Sequence, residues 1–297
     1  MLKRRGQPKN NLEDKGGEGL VLPFDFDYYK PATLQEAIEL YVSLHQQGKQ
    51  PMFFLGGTEL ITLGRIDLLY TEAAIDLKNI PEAHVIHVTD NQLILGSALT
   101  LTKIEEANIY PLLTKTVSEV ADHTARGKIT LGGNICAQIF YREAVLPFLL
   151  ADSQVILAGP EGIRNVPIND IFHEDLKLNP GEVLVQLVTD KRAIEAPYIS
   201  IKRRQQWETG YPLITIAGLA INNRIRIAIS GLCPFPFRSL EVEGLLNNRQ
   251  ISMEERIGKA IEILPQPILD DVEGSADYRL FVLKNLMFDV MNVLGSG

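Results

Sequence analysis

The chain has 297 residues, 45% of them hydrophobic and 22% charged, which is enough apolar material for more than one core and excludes a disordered chain. Its net charge of −8 repels phosphate backbones and anionic lipid, excluding a broad nucleic-acid or membrane footprint and leaving small molecules and other proteins as partners. The only cysteines, Cys136 and Cys233, are too few for an iron–sulfur cluster or a cysteine-ligated zinc, so any such centre belongs to another chain. No apolar run reaches bilayer length, and the expected location is the cytoplasm.

Residues 1–22 mix charged residues, Asn and Gly with little apolar periodicity and read as a mobile or partner-ordered arm. Thr33-Leu34-Gln35-Glu36 is a capping-box pattern that opens an amphipathic helix ending at Gly48. Pro51 to Leu55 reads as a buried strand running into Gly56-Gly57, and Ala74 to Leu77 as another after a short helix. A hairpin follows, His84 to Val88 and Leu93 to Leu95, then a long helical pattern from Leu101 toward Asp122 and a strand at Ile129 to Asn134. After the apolar segment Ala144 to Ala151 come strands at 154–158, 164–168 and 183–188, and Thr189 to Pro197 reads as a linker. A third unit opens with strands at 198–202, 213–221 and 224–230, with Asn222-Asn223 as a hairpin turn, and closes in helices.

Two segments can carry chemistry. In Phe53-Phe54-Leu55-Gly56-Gly57-Thr58-Glu59-Leu60 a buried strand ends in paired glycines, whose missing side chains let backbone N–H groups approach a phosphate; alone, such a segment is more often a tight turn. Ile129-Thr130-Leu131-Gly132-Gly133-Asn134 repeats the pattern with two polar flanks, its plainer reading being a bulge or a close strand crossing. Two such turns in adjacent subdomains suit an extended pyrophosphate clasped between them.

Together with Phe24-Asp25-Phe26, Ala74-Ile75-Asp76-Leu77, Leu95-Gly96-Ser97 and Val166-Pro167-Ile168-Asn169-Asp170, these segments resemble the FAD-binding subunits and domains of molybdenum hydroxylases such as xanthine, carbon monoxide and nicotinate dehydrogenases. The resemblance runs from about Phe24 to the C-terminus. It implies an α+β, PCMH-type FAD-binding domain of two α/β subdomains, 23–78 and 79–190, then a C-terminal α+β domain, 197–297, with a three-stranded antiparallel sheet and helices. It further implies that Met52, Phe53, Phe54, Leu55, Gly56, Gly57, Thr58 and Glu59, with Thr130, Leu131, Gly132, Gly133 and Asn134, wrap the pyrophosphate and ribityl chain of FAD. Glu143, Leu184 and Lys202 match three further contacts. Glu143 stands where aspartate is more usual, and Arg203 to Tyr211 lack the family's double arginine and following aspartate at their usual offsets from the lysine.

The function implied is that of an electron-transferring FAD subunit. It takes electrons from [2Fe-2S] centres on a small partner subunit, fed by a molybdenum-cofactor large subunit, and passes them to NAD⁺ or another acceptor. Related flavoproteins with covalent FAD use a histidine in or near the first glycine loop; Leu55 to Leu60 has none, so FAD is expected to be non-covalent. The chemistry then belongs to the cofactor, with no catalytic acid or base and no metal on this chain. An FAD-free assembly module and a stand-alone FAD oxidase are the alternatives, told apart by flavin content and by acid–base groups over the flavin.

Other residues carry less. His84 and His87, three apart in one expected strand, would point to opposite faces and so form no metal pair. Cys136 reads more readily as a buried small hydrophobe than as a flavin neighbour. Trp207 and Tyr211, after Lys202, either gate the isoalloxazine ring or simply pack.

Overall fold

The computed structural model describes residues 22–204 and 211–295, so all but the last residue of the expected arm at 1–22, and Trp207, lie outside the described residues. After β1 (Asp27–Tyr29), Thr33 caps α1 (Leu34–Gln46) by accepting from the Glu36 amide at 3.1 Å, and Glu36 accepts from Ala32 N at 2.8 Å. Next come β2 (Pro51–Phe54), α2 (Thr58–Arg65) and β3 (Ala73–Asp76). The three strands form a parallel sheet in the order β1-β3-β2, with Ala73, Ala74 and Ile75 of the central strand fully buried.

The second sheet is five-stranded and antiparallel. It uses β4 (Ile86–Val88), β5 (Gln92–Gly96), β6 (Gln154–Gly159), β7 (Gly162–Pro167) and, after two short strands, β10 (Val183–Asp190), in the order β4-β5-β10-β6-β7. Those short strands, β8 (Phe172–His173) and β9 (Asp175–Leu176), pair with each other behind α8 (Ile168–Ile171). His84 ends a 3₁₀ turn (Pro81–His84) and only His87 lies in a strand, so the expected shared strand does not form. The long helical pattern is broken into α3 (Leu101–Ala107), α4 (Pro111–Val117) and α5 (His123–Arg126), because Asn108 turns left-handed at φ 45° and Pro111 starts a new helix.

The expected strand at Ile129–Asn134 is a helix start. Thr130 is the cap of α6 (Leu131–Cys136), its hydroxyl accepting from Gly133 N at 3.1 Å, and only a bridge from Thr130 to Thr100 remains strand-like. The apolar run then forms a 3₁₀ turn (Glu143–Val145) and α7 (Leu146–Leu150), buried throughout. Arg164 on β7 donates twice to Glu182, just before β10, at 2.6 and 2.8 Å, which holds the Glu182 carboxyl below its ordinary range. A carboxyl lowered in this way stabilises the fold above the ordinary glutamate range, and the contribution disappears as pH falls through the lowered value. Glu182→Gln is therefore expected to flatten the acid limb of a urea-midpoint-versus-pH curve, and an unchanged limb would remove this pair from acid stability.

Part of the expected linker is a helical turn, α9 (Lys191–Ile194), capped by Asp190. The third sheet joins β11 (Tyr198–Arg203), β12 (Ile214–Ile221) and β13 (Arg224–Ser230), and a fourth short strand, β14 (Phe237–Arg238), extends it. Asn222 and Asn223 both have positive φ, 52° and 58°, as a two-residue hairpin turn requires. α10 (Leu240–Leu246), α11 (Met253–Glu262) and α12 (Ala276–Leu294) cover one face through Leu246, Ile257, Leu283, Met287 and Val290. Ala217, Leu219 and Ala228 on the other face join the core of the second sheet, which seats β11 against α4.

Candidate functional site: a clasp between two glycine turns

β2 and β3 end side by side, Phe54 opposite Asp76, and in open α/β sheets ligands bind beyond the carboxyl ends of parallel strands. β2 leads into Leu55-Gly56-Gly57, and Gly57 caps α2 with φ 73°. Among the described residues nothing accepts from the amides of Gly56, Gly57, Thr58, Glu59 or Leu60. Unpartnered amides at a helix start attract phosphate through their partial positive charge. Lys78 stands beside them, its Nζ 3.1 Å from Leu55 O, 3.0 Å from Asp76 Oδ2 and 4.0 Å from the centre of the Phe54 ring. Asp76 also accepts from the Tyr28 hydroxyl.

The second turn lies directly against the first. A Cβ on Gly56 would come within 2.2 Å of Lys128 O, and one on Gly132 within 2.6 Å of Ser97 Cβ and 3.2 Å of Leu55 Cδ1. Only glycine allows this approach. Glu59 completes the clasp by accepting from Gln138 N at 2.9 Å and Ile139 N at 2.8 Å. Hydrogen bonds to a charged group contribute about 1.5–3 kcal/mol each. Glu59→Ala is expected to cost about 2 kcal/mol or more and to speed amide exchange at Gln138 and Ile139, and unchanged exchange there would remove Glu59 from the clasp.

The remaining residues continue this line of contacts. Asn134 Oδ1 accepts from Ala144 N at 3.1 Å, which sets Glu143 beside the second turn. Glu143 and Lys202 form an ion pair at 2.8 Å with side chains 2% and 3% exposed, and Lys202 also donates to Glu119 O at 2.7 Å. Leu184 is buried on β10 at a bulge, and its neighbour Val185 accepts from Ser97 N, the residue against Gly132. The structure thus connects the two glycine turns with Glu59, Asn134, Glu143, Leu184 and Lys202, while Met52 and Phe53 lie back along β2, where Phe53 stacks on Tyr41 at 5.0 Å.

Sequence reasoning missed three groups along these contacts. Among the described residues Ser97 Oγ and Thr215 Oγ1 are buried without a hydrogen-bond partner, Ser97 against Gly132 and Thr215 as the cross-strand neighbour of Lys202. Lys78 is the third. Ser97 follows Leu95-Gly96, the one sequence signal available; Thr215 has none, because strand pairing alone brings it to Lys202. Cys136 is exposed, against the expectation of a buried hydrophobe, and Tyr211 stacks on Tyr141 at 4.7 Å.

A glycine cradle with free amides at one end, and orphaned hydroxyls and a lysine along its length, fits an elongated cofactor with a pyrophosphate. These features make a candidate clasp for an extended nucleotide, its two turns coming from the parallel sheet and from the unit of the five-stranded sheet. Residues 24–188 match the family described as FAD binding domain in molybdopterin dehydrogenase, and the chain belongs to that family. It is an FAD-binding subunit of the molybdenum hydroxylase type, a component of an oxidoreductase.

The chain is similar to the xanthine dehydrogenase FAD-binding subunit of Escherichia coli O157:H7, with 27% identity over 91% of this chain and 96% of the relative. It is also similar to the nicotinate dehydrogenase FAD-subunit of Eubacterium barkeri, at 24% over 92% and 98%. In fold it resembles carbon monoxide dehydrogenase from Hydrogenophaga pseudoflava, with a TM-score of 0.83 and 21% identity over 93% of this chain and 99% of that one. Quinoline 2-oxidoreductase from Pseudomonas putida 86 shares the fold at a TM-score of 0.76, with 24% identity over 91% and 96%. Among the described residues no helix is long and apolar enough to cross a membrane.

Proposed function

We propose that FAD is held non-covalently by Met52 to Glu59 and Thr130 to Asn134, with Glu143, Leu184 and Lys202 along the rest of its length. In this reading the chain relays electrons from [2Fe-2S] centres on a small subunit, supplied by a molybdenum-cofactor large subunit, to NAD⁺ or another acceptor. The observation that carries the binding mode is the unpartnered amide run Gly56 to Leu60, set by Gly56 against the second turn. Gly56 to Leu60 would take the pyrophosphate, with Lys78 beside them, its charge shared with Asp76. Lys202 and Glu143 would face the redox-active end, and no residue of the clasp is assigned as a proton donor. Bound FAD supplies the redox chemistry that joins one-electron and two-electron carriers. The unit boundaries at 23–78, 79–190 and 197–297 are part of the same reading, supported by one sheet of three or more strands in each.

Purification of the tagged full-length chain from its native cells, with metal analysis, tests the relay. Molybdenum and iron in constant ratio to flavin are expected. Flavin recovered with neither metal would overturn the relay while leaving the FAD assignment standing.

A further inference from the structure

The C-terminal unit carries a second concave site, a cavity of about 250 Å³ between the β12–β13 turn, the end of α10, the start of α11 and the end of α12. Among the described residues no carboxylate lines it, although the chain as a whole is acidic. Of the 13 described arginines, 8 lie within 4.0 Å of a carboxylate; three of the other five, Arg224, Arg249 and Arg256, line this one pocket. Chance placement on an acidic protein would pair such residues with the plentiful carboxylates, as it does elsewhere in the molecule.

The guanidiniums are also under-used. Among the described residues Arg256 Nε is buried with no hydrogen-bond partner, and Nη1 donates only to Leu246 O at 3.0 Å. Arg249 Nη2 donates to Asn223 Oδ1 at 3.1 Å, and Arg224 is exposed. Between them Met253, Met291 and Leu294 give the cavity apolar walls. Thioethers adapt to irregular shapes and make favourable contacts with aromatic rings.

We propose that this pocket binds an aromatic phosphate monoester, the phosphate on Arg224, Arg249 and Arg256 and the ring against Met253, Met291 and Leu294. A phosphate dianion offers three acceptor oxygens to three guanidiniums, and planar guanidinium forks match phosphate geometry. The volume admits one small molecule, and the negative charge of the surrounding protein opposes a long polyanion. This inference does not depend on the relay.

The test is titration calorimetry on the full-length chain saturated with FAD, so that the flavin clasp is not available to the probes. Adenosine monophosphate and phenyl phosphate are both expected to bind, with adenosine and inorganic phosphate each much weaker. Binding of adenosine monophosphate alone would support the site and identify the ring as a nucleobase. Arg256→Gln is expected to weaken binding by about tenfold, the loss of one hydrogen bond to a charged group, at unchanged flavin content. Arg224→Gln, at an exposed position, gives the same reading should the first variant fold poorly. No binding of either ester, binding unaltered in both variants, or response only to an acidic peptide would overturn the proposal.

Discussion

Gly56→Ala is expected to abolish FAD retention in a chain that still folds. The added Cβ would sit 2.2 Å from Lys128 O and 3.3 Å from Thr130 N, both backbone atoms that cannot rotate away. The two glycine turns must therefore separate, at a cost of about 1–3 kcal/mol, typical of overpacking. Separation moves the free amides of α2 away from the second turn, so the loss falls on cofactor binding more than on the fold. Gly244→Ala is the matched control, because a Cβ there meets nothing within 4 Å. That variant is expected to keep full flavin and to gain up to about 1 kcal/mol from helix propensity. Full flavin content in Gly56→Ala, measured after gel filtration, would refute the close-approach account.

Glu143→Gln is expected to be the most destabilising single change in the site. The Glu143–Lys202 pair is almost wholly buried, and removal of the carboxylate leaves an ammonium whose other described acceptor is Glu119 O. Breaking a buried pair from one side costs about 3–5 kcal/mol, because the remaining charge is uncompensated. The double variant Glu143→Gln/Lys202→Met is expected to recover much of that loss, since neither charge is then buried. The pair also sets what Lys202 can do electrostatically. A lone ammonium would favour an anionic reduced flavin strongly, whereas one neutralised at 2.8 Å presents a dipole. Where Glu143→Gln folds and holds FAD, its flavin is expected to be easier to reduce than wild type. Equal stability of single and double variants in urea unfolding would show that the pair is not coupled.

Features set by local chemistry were legible in the sequence. The Thr33–Glu36 box, the Asn222-Asn223 turn and the glycines after β2 announce themselves because cap, turn and close approach each demand particular residue types. Ile129–Asn134 misled because Ile and Thr favour strands, and the capping role of Thr130 depends on Gly133 N turning back to its hydroxyl. The break at Asn108 carried little weight against the long apolar periodicity around it. Lys202 and Glu143 were named through resemblance, but their pairing across 59 residues of sequence is a product of packing α4 and β11 together. The orphan hydroxyl of Thr215 was illegible for the same reason, since register, and no motif, puts it opposite Lys202.

The most direct measurement of the central claim is the visible spectrum of the purified full-length chain, with chromatography of the cofactor released on denaturation. The clasp predicts a yellow protein that yields free FAD in a one-to-one ratio, with no flavin left on the polypeptide. A colourless protein that takes up no added FAD would contradict it, and flavin remaining attached after denaturation would contradict the non-covalent mode.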